Sequence, residues 1–119
     1  MDAVVSSLGT MQDVPEHIRQ IIASVKNRLQ NWYGDRLSKL ILYGSFALGT
    51  FHEESDIDLL VVLEGDVDFL TEIEPINRLV YPFVLEDQTV ISAIPVSNQT
   101  YTLGQAFIYQ KIRREGIVV

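Results

Sequence analysis

Apolar residues recur at helical spacing after Pro15: Ile18, Ile21, Ile22, Val25, Leu29 and Trp32 fall on one stripe, with Arg19, Lys26 and Asn27 off it. The pattern predicts an amphipathic helix whose apolar face packs on a sheet. Asp13 with Glu16 three residues on reads as a capping box, Pro15 fits a first helical turn, and Gly34 ends the element. Leu37 and the run Leu40 to Tyr43 then read as a strand. After a Gly44-Ser45 turn, Phe46 to Gly49 leaves room for only a short helical piece, and Phe51 to Ser55 is a polar loop. From Leu59 to Leu63 the chain is apolar at consecutive positions. A strand of that kind is covered on both faces and lies inside its sheet.

Beyond Gly65-Asp66, the spacing of Phe69, Ile73, Ile76, Val80 and Phe83 is again helical, but Pro75 and Pro82 interrupt it. An interior proline removes a hydrogen bond and crowds the preceding turn, so a kinked or split helix ending near Tyr81 is expected. Thr89 to Val96 is rich in β-formers and contains Pro95, which predicts a third strand toward the sheet edge. A last helix is expected from about Gln105 to Arg114, stopped by Gly116, with Lys111, Arg113 and Arg114 suited to its negative end. Residues 1 to 12 carry little pattern and read as a loose terminus. No repeat, low-complexity tract or linker breaks the chain, so residues 1 to 119 form a single α+β domain.

Composition narrows the function. With 119 residues, 47% of them hydrophobic, the chain can build one modest core. The net charge of -7 argues against direct nucleic-acid binding, because nine Lys and Arg scattered along the chain make no basic stripe. Any phosphate bound here must arrive with a cation. The absence of cysteine excludes disulfides, thiolate zinc sites and thiol chemistry. No apolar run is long enough to cross a bilayer. The opening residues lack the basic and apolar regions of a signal peptide, so the cytoplasm is the expected compartment.

The candidate chemistry sits at the start of the inner strand. On a strand, Asp56 and Asp58 would point to one face with Cα atoms roughly 6.5 Å apart, close enough to share a divalent cation. Mg²⁺ is the natural candidate, since it is held by one or two carboxylates plus substrate phosphates. The plainer reading makes Gly44-Ser45 a tight turn, Asp56 a cap and Asp58 a solvent-facing residue. An aspartate at the mouth of a buried apolar strand needs compensation, which favours the site. Elsewhere the plain readings prevail. His17 and His52 lack ligand-spaced partners and read as helix-surface and loop residues, Glu53 and Glu54 as a solvated acidic loop, and Trp32 and Tyr43 as core. Arg113 and Arg114 suit a phosphate or a helix C-terminus equally well.

Gly44, Ser45, Ala47, Gly49, Ser55, Asp56 and Asp58 occur in the order and spacing of a composite motif, a Gly-Ser turn followed about ten residues later by D-x-D on the next strand. The chain resembles the minimal nucleotidyltransferases of the DNA polymerase beta superfamily. The likeness extends through Ile94 to Ser97 and Arg113 to Gly116 and so covers nearly the whole chain. It implies a nucleotidyltransferase-type small mixed β-sheet with helices packed mainly on one face. It also implies that Gly44 and Ser45 receive phosphates, that Asp56 and Asp58 hold Mg²⁺ or Mn²⁺, and that a nucleoside monophosphate passes from an NTP, ATP foremost, to a hydroxyl. The frequent partner in this family is a small helical HEPN protein, often a toxin, with the nucleotidyltransferase acting as antitoxin in some cases by adenylylating it. Self-association is the other way to cover the open acceptor side.

Two departures stand out. Leu48 occupies a position where many relatives carry arginine. Active relatives also place a third acid on the next strand, whereas Thr89 to Ile94 holds none and Ser92 stands at the expected place. Glu86 and Asp87, expected in the preceding turn, are the nearest acids. The alternative function is therefore a catalytically silent module that binds nucleotide or neutralises a partner by contact.

Overall fold

A computed structural model describes residues 10–119. Most of the expected loose terminus thus lies outside the described residues, but Met11–Asp13 forms a 3₁₀ turn and Met11 packs on the core. The Asp13 carboxylate accepts from the Thr10 backbone N–H at 3.2 Å and its hydroxyl at 3.1 Å. Asp13 therefore closes this small turn and does not cap the following helix, whose N-cap is Pro15. Helix α1, Glu16–Tyr33, buries Ile18, Ile21, Ile22, Val25 and Leu29 and ends at Gly34, where φ is 58°. Trp32, expected in the core, is 53% exposed, and the Arg78 guanidinium lies over its ring. The inward stripe continues four residues after Leu29, at Tyr33, which packs against the core.

The remaining elements are β1 (Leu37–Tyr43), α2 (Ser45–Leu48), β2 (Ile57–Leu63), α3 (Phe69–Asp87), β3 (Ile91–Ser97), α4 (Asn98–Leu103), α5 (Phe107–Glu115) and β4 (Ile117–Val118). The sheet order is β3-β2-β1-β4. β1 runs antiparallel to β2 and β4, while β2 and β3 are parallel and joined through α3. The sheet is therefore mixed, with β2 inside and β3, carrying Pro95, at an edge.

Alternation along the strands divides the core. Leu40, Leu42, Ile57, Leu59, Val61 and Leu63 face α1 and α3 in the larger cluster. Ile41, Leu60, Val62 and Val96 face the other way, where Ile112 of α5 and Tyr101 of α4 cover them. This two-sided burial accounts for the unbroken apolar run of β2. The two long helices share one face, and only short helices reach the second. α4 begins where the Ser97 hydroxyl accepts the Thr100 N–H at 3.0 Å. Neither α4 nor the two-residue β4 is long enough to leave a periodic signal.

α3 differs from expectation. It runs unsplit through Pro75 and Pro82 to Asp87 and ends at Gln88, whose φ of 54° is left-handed. A proline inside a helix costs about 3 kcal/mol. Burying Ile76 and Val80 of α3 contributes about 1.5–3 kcal/mol each, the same scale. A polar clamp adds to this. Glu72, only 8% exposed, accepts from the Arg36 guanidinium at 2.7 Å and the Tyr33 hydroxyl at 2.9 Å. Burial, reinforced by this bond, pushes the Tyr33 phenol well above its ordinary pKa. Arg36 also donates to the carbonyls of Glu64 and Asp66, at 3.2 and 2.7 Å, so one side chain ties the exit of β2 to α3.

Arg36→Ala leaves the Glu72 carboxylate buried with Tyr33 as its remaining partner. Denaturant unfolding of the variant should show a loss of about 1–3 kcal/mol. A loss inside the scatter of ordinary surface substitutions would show that the clamp does not hold α3.

Candidate active site

The site begins where β1 ends. Gly44 has φ 78° and ψ -155°, a conformation that side chains other than glycine rarely adopt. A Cβ there would also collide with Oδ2 of Asp58 and stand 3.2 Å from its Cγ. Two independent constraints thus require glycine: the turn needs its backbone freedom, and the facing carboxylate fills the space of a side chain. α2 follows at once. The N–H groups of Ala47 and Leu48 both reach Gly44 O at 3.1 Å, which leaves the Ser45 and Phe46 amides ahead of the helical ladder. Phe46 and Ala47 are buried, and Phe46 stacks on Phe51 with ring centroids 5.0 Å apart, which anchors the loop leading to β2. Within that loop the Ser55 hydroxyl accepts the His52 N–H at 2.8 Å and the Ser55 N–H reaches His52 O at 3.0 Å. Ser55 shapes the turn that delivers Asp56.

Asp58 lies in β2 as expected, whereas Asp56 stands one residue before the strand and is exposed. The ladder begins at Ile57, whose N–H donates to Val90 O at 2.9 Å. Across the sheet, Asp58 is opposite Tyr43 of β1 and Ser92 of β3. By alternation all three belong to the face of Ile41, Leu60, Val62 and Val96, the face covered by α5. Burial, and then the negative charge of Asp56, raise the Asp58 carboxyl above the ordinary carboxylate range. Burial and the Asp58 charge likewise raise the Tyr43 phenol. Among the described residues the ion pairs are Arg36 with Glu72, Arg78 with Glu74 and Arg114 with Glu115, so no Lys or Arg neutralises either aspartate.

Several candidates lie elsewhere. Glu86 and Asp87 are in the last turn of α3, not in a loop, and line a groove with His17 and Gln20 of α1 on the opposite face. Arg113 donates to Tyr101 O at 2.7 Å and joins α5 to α4. Arg114 pairs with Glu115 at 3.5 Å. Glu53, Glu54, His17 and His52 are exposed. Among the described residues no group of three or more His, Cys, Asp or Glu is placed to hold a metal ion. Asp56 and Asp58 stand as a pair.

The fold also brings up residues that the sequence did not single out for the site. Ile108, Lys111, Ile112 and Glu115 of α5 line a cavity of about 220 Å³ together with Tyr43, Gly44 and Leu48. Their spacing of three and four identifies one face of a helix. Only the tertiary fold shows that this face meets Gly44.

The sequence model of the nucleotidyltransferase domain family matches residues 18–114. Two proteins of Methanocaldococcus jannaschii are similar over most of their length. One, named "Putative protein adenylyltransferase MJ0604", is 43% identical over 75 residues, covering 63% of this chain and 69% of its own. The other, named "Putative protein adenylyltransferase MJ0141", is 32% identical over 77 residues, covering 65% and 77%. In fold, the chain resembles a crystal structure described as a putative nucleotidyltransferase from Sulfolobus solfataricus, with a TM-score of 0.55 and 17% identity over 85% of this chain and 83% of that one. The family match spans the Gly44 turn, both aspartates and all of the sheet except β4, and on that ground the chain belongs to the nucleotidyltransferase domain family.

Proposed function

We propose that this domain binds an NTP, ATP foremost, with a divalent cation and transfers the nucleoside monophosphate to a hydroxyl of a partner protein. The observation that carries the reading is the half-buried Asp58 carboxylate, seated on Gly44 beside Asp56, with no Lys or Arg of the described residues to neutralise it. Two such carboxylates next to a turn of free amides are a donor set that suits Mg²⁺ or Mn²⁺ with phosphate oxygens completing the shell. When bound, the cation supplies charge neutralisation at the phosphates. Asp56 and Asp58 hold it, while Gly44 and Ser45 bring backbone N–H groups and a hydroxyl close to the phosphate chain. In the transfer, the acceptor oxygen bonds to the α-phosphorus as the bond to the β-phosphate oxygen breaks, and pyrophosphate leaves. The acceptor's proton needs a base. The protein acceptor is supported by the names of the two similar archaeal proteins.

Ser92 occupies the register position beside Asp58 where a third acid would stand, and serine is no base at neutral pH. The native chain is therefore a slow transferase. This same observation favours a second reading, in which the module binds nucleotide and acts on its partner by contact alone. Leu103, Phe107 and Ile108 leave an exposed apolar surface on α4 and α5, suited to a helical HEPN-type partner or to a second copy. The reading as an antitoxin acting on such a partner, in the cytoplasm where ATP is available, follows from the same assignment.

Calorimetry with ATP and Mg²⁺ should show binding that chelator removes, and Asp58→Asn should abolish it. Equal heats in all three samples would sink the assignment. Stability should move the other way. Asp58 has its folded pKa raised, so its charge penalises the metal-free fold above that raised value, and the penalty vanishes below the ordinary carboxylate pKa. Metal-free Asp58→Asn should thus unfold at higher temperature than the native protein at neutral pH, and the gap should close on acidification. Mg²⁺-dependent nucleotide affinity should fall over the same window.

Gly44→Ala meets both the backbone and the carboxylate constraint. We expect a destabilised protein, by about 1–3 kcal/mol, with nucleotide binding lost beyond what the remaining folded fraction explains. Unchanged melting and affinity would show that Asp58 does not press on this turn.

Ser92→Asp tests the third position. A positioned base contributes about 10²- to 10⁴-fold. Transfer from labelled ATP to the protein itself or a co-purified partner should rise well above the native rate. A fast native protein left unaffected by the substitution would refute both the placement of Ser92 and the slow-transferase reading.

A further inference from the structure

Binding a triphosphate places several negative charges beside Asp56 and Asp58 in a protein whose net charge is already -7. One divalent cation does not balance them, and a cationic side chain is expected at the phosphate chain. The Lys and Arg residues can be sorted by where they stand. Arg19, Lys26, Arg28 and Arg36 belong to α1 and the turn after it, and Arg78 to α3, on the side of the sheet opposite Asp58. On the Asp58 face, Lys39 lies over the Tyr101 ring, 5.3 Å from its centroid. Arg113 is bonded to Tyr101 O and Arg114 is paired with Glu115. Lys111 remains. It is exposed, takes no part in the ion pairs of the described residues, and lines the cavity whose floor is Gly44 and Tyr43.

We propose that Lys111 of α5 binds the phosphate chain of the nucleotide and supplies to the Gly44 turn the positive charge that Leu48, on the same cavity wall, does not. This inference rests on the nucleotide-binding reading above and adds to it the residue that reads phosphate number. Lys111 and its neighbours on α5 face Tyr43 and Gly44 at the end of β1 and Leu48 of α2 across the cavity, and the Asp58 carboxylate lies against the same Gly44. The competing role for Lys111 is an i,i+4 partner for Glu115, but no such pair lies within salt-bridge distance, and Glu115 is engaged by Arg114.

The test is calorimetry of ATP, ADP and AMP with Mg²⁺ on the native protein, Lys111→Gln, Lys111→Arg and Glu115→Gln. Native affinity should fall along the series as phosphates are removed. Lys111→Gln should weaken ATP by about 10- to 100-fold, the scale of one charge-assisted hydrogen bond, and flatten the series, while AMP changes little. Lys111→Arg should restore most of the gradient. Glu115→Gln removes a negative charge from the cavity and should tighten ATP. If Lys111 served only Glu115, Glu115→Gln would reproduce the loss seen in Lys111→Gln, and that outcome overturns the proposal. So does a native gradient retained in Lys111→Gln. A native protein that binds none of the three nucleotides overturns both this inference and the nucleotide reading, whereas native binding with an indifferent Lys111 overturns this inference alone. Melting curves of each variant separate lost binding from lost fold.

Discussion

The close passage of the Asp58 carboxylate over Gly44 is the contact on which this site is built. It requires an antiparallel pair whose register sets Asp58 against the residue just before the glycine, and Tyr43 and Asp58 are so paired. It also requires the chain to leave β1 in a backbone conformation that only glycine adopts freely, because α2 must start in the same turn. A side chain at position 44 would meet the Asp58 carboxylate and displace it. The glycine turn and the placement of the Asp58 carboxylate are thus two sides of one steric fact.

Such a contact is unfavourable by itself. Asp58 is partly withdrawn from water and faces a second negative charge, and both effects raise its pKa. The rest of the fold opposes the resulting tendency to separate. β2 is paired on both edges and apolar on both faces, so its first residues cannot shift without disturbing two core clusters. At its far end Arg36 fastens the exit of the strand to α3 through the carbonyls of Glu64 and Asp66 and the carboxylate of Glu72. The strand is held at one end by a satisfied ionic clamp and has at the other a pair of acids that no Lys or Arg of the described residues neutralises.

The sequence made the site legible because its parts are local. Gly44, Ser45, Asp56 and Asp58 fall within fifteen residues, and the resemblance, which sets a third acid on the next strand, pointed to Ser92, the residue that the register pairs with Asp58. The misreadings are tertiary in origin. Prolines in α3 look like breaks until the burial of Ile76, Val80 and Glu72 is weighed against them. Trp32 and Tyr33 differ by one position on a helix, and only the position of the sheet and of Glu72 decides that Tyr33 turns inward. Lys111 reads as a charge suited to a helix end, and nothing in its neighbourhood announces that α5 folds back over the end of β1.

Binding and turnover draw on different parts of this architecture. The groups proposed to hold a metal-bound phosphate chain come from the Gly44 turn, from Asp56 and Asp58, and from α5. In the same proposal the place of a proton acceptor is on β3, the edge strand, where Ser92 stands beside Asp58. An edge strand is also the element that another chain can approach most directly. A domain arranged in this way carries a half-buried aspartate beside a second acid, and the burial and like charge that raise its pKa disfavour the metal-free fold. That unfavourable contact, more than the resemblance of its motif, is the physical argument for the proposed cation and nucleotide at this place.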